Sequence, residues 1–310
     1  MTECESPYED GYTGKNRVEE IESSDSTNAN EIKQGAFDAQ VSEGLMQALE
    51  DSVYSLSLRL IREIHEVLLA KGRGSHAQPG QFRKSQNWIG GSRPGNAAYV
   101  PPPPEYVADC MGQLETFIHQ EGTTLPLLIK AGLVHAQFES IHPFLDGNGR
   151  VGRLLITFML CAEEVLREPV LYLSLFFKKH RRLYYDRLNE TRESEGWTAW
   201  LDFFLQGVRD TANQAARTAG KIDRLFNADK EKIERFGRGA ASALMVYGYA
   251  QANPLFSIRN AAREVKVSFP TTSAAVDRMI EVGILRESSG KRRGRLFLYE
   301  SYLDILNKES

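Results

Sequence analysis

The chain has 310 residues, 42% apolar and 25% charged, with a net charge of −3 at neutral pH. That supplies a core and exceeds one average domain. The longest apolar runs, near Leu154 to Cys161 and Leu171 to Phe177, fall far short of the ~20 residues that cross a bilayer, so no membrane span is expected. The start, Met-Thr-Glu-Cys-Glu-Ser, lacks the basic then apolar order of a secretory signal. Cys4, Cys110 and Cys161 are odd in number and form no CxxC pair, which argues against a disulfide framework or zinc site and for a reducing, cytoplasmic setting.

Residues 1–35 are acidic and poor in large aliphatics, the composition of a weakly ordered arm. Leu58, Leu60, Ile61, Ile64, Val67 and Leu68 then follow a helical period over Ser57 to Leu69. Residues 71–104 break that period with Gly, Pro, Asn and Ser, predicting a long loop with a short hairpin. Its Gly90-Gly91 and Arg93-Pro94-Gly95-Asn96 turns suit an edge strand that could dock a peptide by backbone hydrogen bonds. Helices are expected at about 105–120, 125–141, 148–166, 174–194 and 197–227. Trp197, Trp200, Phe203 and Phe204 form an aromatic stripe read as core. Of Tyr184 and Tyr185, one is expected to pack and the other to line a pocket.

From the end of the second of these helices into the start of the third runs His142-Pro-Phe-Leu-Asp-Gly-Asn-Gly-Arg-Val-Gly-Arg153. Gly147, Gly149 and Gly152 let the backbone approach a ligand closely. A glycine-rich turn feeding a helix N-terminus aims amides and the positive end of the helix dipole at one point, where an anion sits. Arg150 and Arg153, three apart, can clamp further phosphate oxygens, and Asp146 is a hard oxygen ligand suited to Mg²⁺ beside a diphosphate. His142 has the near-neutral basicity needed to take a hydroxyl proton. Each residue alone would be read as a structural or solvated side chain; their joint spacing carries the signal. The other histidines, His65, His76, His119, His135 and His180, lack such context.

These twelve residues match the Fic family signature H-P-F-x-[DE]-G-N-G-R-x-x-R at every defined position. The resemblance covers roughly Ser55 to Gly207 and implies a mainly α, all-helical Fic core with a short β-hairpin flap. It implies AMP transfer from ATP, with Mg²⁺, to a Ser, Thr or Tyr hydroxyl of a target protein, releasing pyrophosphate. Residue by residue, His142 would be the base and Asp146 would hold the metal. Gly147, Asn148, Gly149, Arg150 and Arg153 would bind the phosphates, and Tyr185 would face the adenine. Phe82 to Pro104 resembles the family's flap, with Ser85, Gln86, Trp88, Gly90 and Gly91 as target-docking candidates. Many Fic proteins carry an inhibitory glutamate that pairs with the second loop arginine. Thr27 to Glu31 and Ala39 to Gly44 each match that motif imperfectly, making Glu31 and Glu43 the two candidates. Fic cores often self-associate, so a homodimer is an expectation. Some relatives transfer phosphate or another nucleotide moiety, which leaves that alternative open.

Residues 208–238 read as a helical connector and 239–310 as a second domain. Phe256 to Val265 and Pro270 to Val282 read as two short helices, the second presenting Thr271, Thr272, Ser273 and Arg278 on a polar face. Ile284 to Arg286, a basic turn and Leu296 to Tyr299 follow. The order resembles a winged helix, with Lys291, Arg292, Arg293 and Arg295 as candidate DNA-phosphate contacts. Such modules also dock proteins. A further alternative is a DNA-binding regulator whose Fic core senses a nucleotide.

Overall fold

A computed structural model describes residues 56–70, 76–120, 122, 124–166, 173–193, 196–288 and 294–308. The chain divides into two units, Met1–Gly207 and Val208–Ser310. Glu31, Glu43, Lys291, Arg292 and Arg293 lie outside the described residues.

In the first unit, α1 (Leu58–Leu69) begins at Ser57, whose side chain accepts from the Leu60 amide, and buries Leu60, Ile61, Ile64, His65, Leu68 and Leu69. The next stretch folds back on itself through one antiparallel bridge, Ile89 to Tyr99, with 3₁₀ turns at Pro94–Asn96 and Pro104–Tyr106. Gly91 at φ +69° is required there, because a Cβ would come within 2.3 Å of the Asn96 carbonyl oxygen. Then come α2 (Val107–Ile118), α3 (Leu127–Ile141), α4 (Asn148–Ala162), α5 (Leu173–Lys179), α6 (Arg181–Glu193) and α7 (Trp197–Glu234). This unit is mainly α-helical, with the bridged segment preceding α2.

Two details depart from the sequence reading. The helix expected over 174–194 is interrupted at His180, although the His180 amide still donates to Phe176 and the Tyr184 amide to His180. The residues expected as a connector continue α7 as far as Glu234. Trp200, Phe203 and Phe204 are buried, and the Trp200 indole N–H donates to the Gly132 carbonyl at 2.9 Å. Gly132 admits this packing, since a Cβ there would meet the Phe204 ring at 2.9 Å.

In the second unit, α8 (Ala240–Ala252) leads to β1 (Leu255–Ser257), α9 (Ile258–Glu264), α10 (Phe269–Glu281), β2 (Arg286–Glu287), β3 (Leu296–Leu298) and α11 (Glu300–Lys308). The strands form an antiparallel sheet in the order β1-β3-β2, with Phe256 opposite Phe297 and Arg286 opposite Leu298. Ser257 and Ser268 cap α9 and α10. The polar face expected on α10 is narrower than its sequence suggests. Thr272 is fully buried in the stripe of Ala275, Val276 and Met279, and the Arg278 guanidinium lies over the Phe236 ring at 4.2 Å. Helical periodicity turns Thr272 inward with its apolar neighbours. Beneath them, Tyr299 donates to the Asp229 carboxylate at 2.7 Å, and Lys232 donates to its other oxygen. Among the described residues no helix is long and apolar enough to cross a membrane.

Candidate active site

The loop after α3 is held by backbone accounting. Pro143 has no N–H, so the Glu139 carbonyl lacks its helical donor, and the other last carbonyls of α3 are also open. Side chains fill them: Arg192 Nη2 donates to the Glu139 carbonyl at 3.1 Å, Tyr99 Oη to Ser140 at 3.0 Å, and Arg83 Nη2 to Ile141 at 3.4 Å. Arg83, 2% exposed, also donates from Nε to the His142 carbonyl, while its amide donates to that of Pro143. His142 then takes the left-handed conformation, φ 50° and ψ 58°, with its amide donating to Phe138.

The remainder of the loop is fastened from beneath. Asn148, nearly fully buried, grips Phe144 twice: its Oδ1 accepts from the Phe144 amide at 2.8 Å and its Nδ2 donates to the carbonyl at 2.7 Å. Asn87 Nδ2 donates to the same carbonyl at 3.0 Å. Phe144 is buried and stacks on His65, ring centroids 3.7 Å apart and planes 6° from parallel. The Gly80 amide donates to His65 Nδ1 at 2.8 Å, so the ring proton sits on Nε2, which donates to the Asp146 carbonyl at 2.9 Å. Burial lowers the pKa of His65, against the opposing hydrogen bond to the Asp146 carbonyl. Gly147, at φ +84°, completes the turn, and its amide donates to Asp146 Oδ1. The first turn of α4 begins here; the Arg150 amide donates to the Gly147 carbonyl, and the helix amides before it have no helical acceptor. Phosphate oxygens suit them.

Arg153 extends from α4 and donates from Nε to Ser174 at 2.8 Å. Arg150 lies close enough to His65 to lower its basicity further. His142 is mostly buried, and burial lowers its pKa to about 4, aided by Arg192 and Arg83 and opposed by the Glu139 carbonyl and Asp146. Glu139, one turn earlier on α3, is buried, and burial raises its pKa against the pull of Arg153 and Arg192. His135 donates from Nδ1 to the Gly152 carbonyl and accepts at Nε2 from Tyr184, and burial lowers its pKa to about 4. Tyr184 is the packed member of its pair, while Tyr185 is 40% exposed beneath Arg181.

In the flap, Gln86 Nε2 donates to the Pro101 carbonyl, the Ser85 carbonyl accepts from Arg83, and Trp88 is 39% exposed. Arg192 stacks on Tyr99 at 3.9 Å, which ties the flap to the end of α3. Sequence spacing does not reveal Arg83, Arg192, Glu139 or His65, because each works through backbone atoms or neighbours distant in the chain. Arg295, in the second unit, pairs with Glu287 at 2.7 Å and lies over Phe297.

Residues 55–160 match the family model described as Fic/DOC family. Over 141 residues the chain is 33% identical to the protein adenylyltransferase Fic of Aedes aegypti, a stretch covering 45% of this chain and 25% of that protein. Over 106 residues it is 35% identical to the protein of the same name from Drosophila yakuba, 34% of this chain and 20% of the other. The chain thus spans about a quarter of the length of the curated relatives it matches. A crystal structure of a Fic family protein from Desulfovibrio desulfuricans aligns with a TM-score of 0.49 at 22% identity, covering 84% of this chain and 74% of that one.

Proposed function

Because residues 55–160 form a Fic/DOC-family domain, we propose that this chain is a protein adenylyltransferase, moving AMP from ATP to a Ser, Thr or Tyr hydroxyl of a target protein. The single observation that carries the reading is the placement of His142, left-handed at the end of α3, just before a pinned glycine turn at a helix N-terminus. The α-phosphate binds at the first-turn amides of α4, with Arg150 and Arg153 toward the outer phosphates. His142 takes the hydroxyl proton as the oxygen bonds to the α-phosphorus, and the bond to the pyrophosphate oxygen breaks. Positioning and charge stabilisation supply most of the acceleration in such transfers. Tyr185, with exposed ring surface, faces the adenine, and the flap strand around Trp88 docks the target.

Among the described residues no group of three or more His, Cys, Asp or Glu is placed to hold a metal ion. The donor set fits Mg²⁺ held by one carboxylate and by nucleotide oxygens, with Asp146 as that carboxylate. When bound, Mg²⁺ neutralises charge on the phosphates.

The test is intact mass spectrometry of the full chain with ATP, Mg²⁺ and cell lysate. One added AMP on this chain or a lysate protein, lost in His142→Ala, is expected. An added phosphate instead would replace the reading with phosphoryl transfer, and no added mass would remove it. A second reading concerns residues 208–310, which hold 18 Lys and Arg against 12 Asp and Glu. This basic excess, with β2 and β3 following α10, favours a winged-helix module that contacts nucleic-acid phosphates. Titration of duplex DNA at two salt concentrations tests it: affinity that falls steeply with salt is expected, and none at low salt removes it.

A further inference from the structure

Arg83 is buried, and every acceptor its guanidinium meets is a neutral main-chain carbonyl. Nε donates to His142 at 3.0 Å, Nη1 to Ser85 at 3.3 Å, and Nη2 to Pro102 and, at 3.4 Å, to Ile141. The titratable groups that bear on its charge are Tyr99 and Cys110, and no carboxylate stands among them. Burying a charge without a counterion costs stability, so what the guanidinium holds together is the question. Its carbonyls come from three stretches of chain: Ser85 on the outgoing arm of the flap, Pro102 on the returning arm, and Ile141 with His142 at the end of α3. We infer that Arg83 is the positioning residue that keeps the flap in register with His142, so that a target segment docked on the flap meets the base at a set distance. The inference rests on the transfer reading in taking the flap as the docking strand and His142 as the base.

The arms of the flap share one isolated antiparallel bridge, Ile89 to Tyr99, and a pairing that short does not hold its own place in water. Its position therefore depends on ties to the rest of the unit. Tyr99 ties the returning arm to Ser140, Asn87 ties the outgoing arm to the His142 and Phe144 carbonyls, and Gln86 joins arm to arm through Pro101. Among the described residues Arg83 is the one side chain bonded to both arms and to the loop. A guanidinium suits that task because its N–H groups point from a rigid planar fork, whereas a lysine ammonium donates from a single atom. The Arg83 amide adds a bond to the Pro143 carbonyl at 2.8 Å, which survives any exchange of the side chain for another with a free amide. Replacing the guanidinium thus loosens the flap without cutting it from the loop. Transfer is sensitive to such loosening, since misplacing the reacting groups by ~1 Å costs ~10²-fold in rate.

The experiment compares the full wild-type chain with Arg83→Lys, which keeps the charge, and Arg83→Met, which removes it, by amide hydrogen exchange and by kinetics. Exchange needs no turnover. The Ile89 and Tyr99 amides, bonded across the bridge, should exchange on the order of 10-fold faster in both variants. The Phe144 amide, held by Asn148, should keep its wild-type rate. In AMP transfer from ATP to the lysate protein identified by its mass gain, kcat per folded molecule should fall ~10²-fold in both variants, with KM for ATP unchanged. Full activity in Arg83→Lys would mean that charge suffices and would overturn the assignment. So would wild-type exchange at Ile89 and Tyr99 in that variant, which carries the test if Arg83→Met does not fold. Equal acceleration at Phe144 would reduce Arg83 to a general support of the loop. A wild type that transfers no AMP, with flap amides that respond as expected, would remove the adenylyl reading and leave Arg83 as the residue that registers flap against loop.

Discussion

The loop from His142 to Arg153 and the polar centre of the second unit are both buried networks, and they differ in what is left unpaired. Around Asp229, Tyr299 donates to one carboxylate oxygen, Lys232 to the other, and Tyr247 bonds Tyr299 at 2.9 Å. Around His142 the backbone is pinned by Arg83, Asn87, Arg192 and Asn148, yet Asn87 Oδ1, Glu139 Oε1 and His142 Nδ1 are unpartnered. A network closed on itself is architecture. One whose backbone is closed and whose side-chain atoms are left open has capacity for a ligand. Thr272 Oγ1 in the second unit is also unpartnered, but no other unpartnered group accompanies it there among the described residues.

The largest expected effect tests the open end of that contrast. His142→Ala should lower transfer by ~10²–10⁴-fold while the protein remains folded, measured by mass gain and far-ultraviolet circular dichroism. If activity survives, the open atoms are not catalytic. A second test concerns pH. Buried His142 and His135 take protons only near 4 in the folded chain, against an ordinary value of 6.5. The unfolded chain therefore binds more protons in that window. Stability is complete above about 6.5 and falls as pH drops toward 4, by up to roughly 1 kcal/mol per pH unit for each ring. His142→Ala should make the decline of melting temperature with acidity shallower.

The closed parts are tested by stability. Asn148→Ala strands the Phe144 amide and should destabilise the first unit by ~1–3 kcal/mol in urea unfolding, with transfer reduced as the turn loosens. Asp229→Ala should cost a similar ~1–3 kcal/mol, registered in the second unit and leaving transfer unchanged. If Asp229→Ala lowers transfer as much as Asn148→Ala, the division between architecture and site fails. Smallest is Arg295→Ala, which breaks a solvent-screened ion pair with Glu287 and should barely shift the melting temperature.

The chain announces some of this and conceals the rest. Helix α1 is legible because Ser57 caps it and its apolar period is regular, and the glycine turn is legible because its chemistry is contiguous. The break at His180 carries no Gly or Pro to mark it, and the hydrogen bonds on either side keep helical spacing. Thr272 reads as polar by type and is buried by phase. Arg83, Arg192 and Glu139 reach the site through carbonyls and neighbouring side chains, contacts for which a linear sequence has no spacing rule.

His65 gives the site a place in time as well as in space. Its bond to the Asp146 carbonyl joins residues 81 positions apart, and the Phe144 ring rests on it. Contacts of such separation form late, because the intervening chain must first be gathered in. During synthesis α1 emerges well before the loop it will hold, and the glycine turn takes its final shape only when the two meet. Until α1 and the loop meet, the glycine turn lacks the His65 bond and the ring stack that hold it.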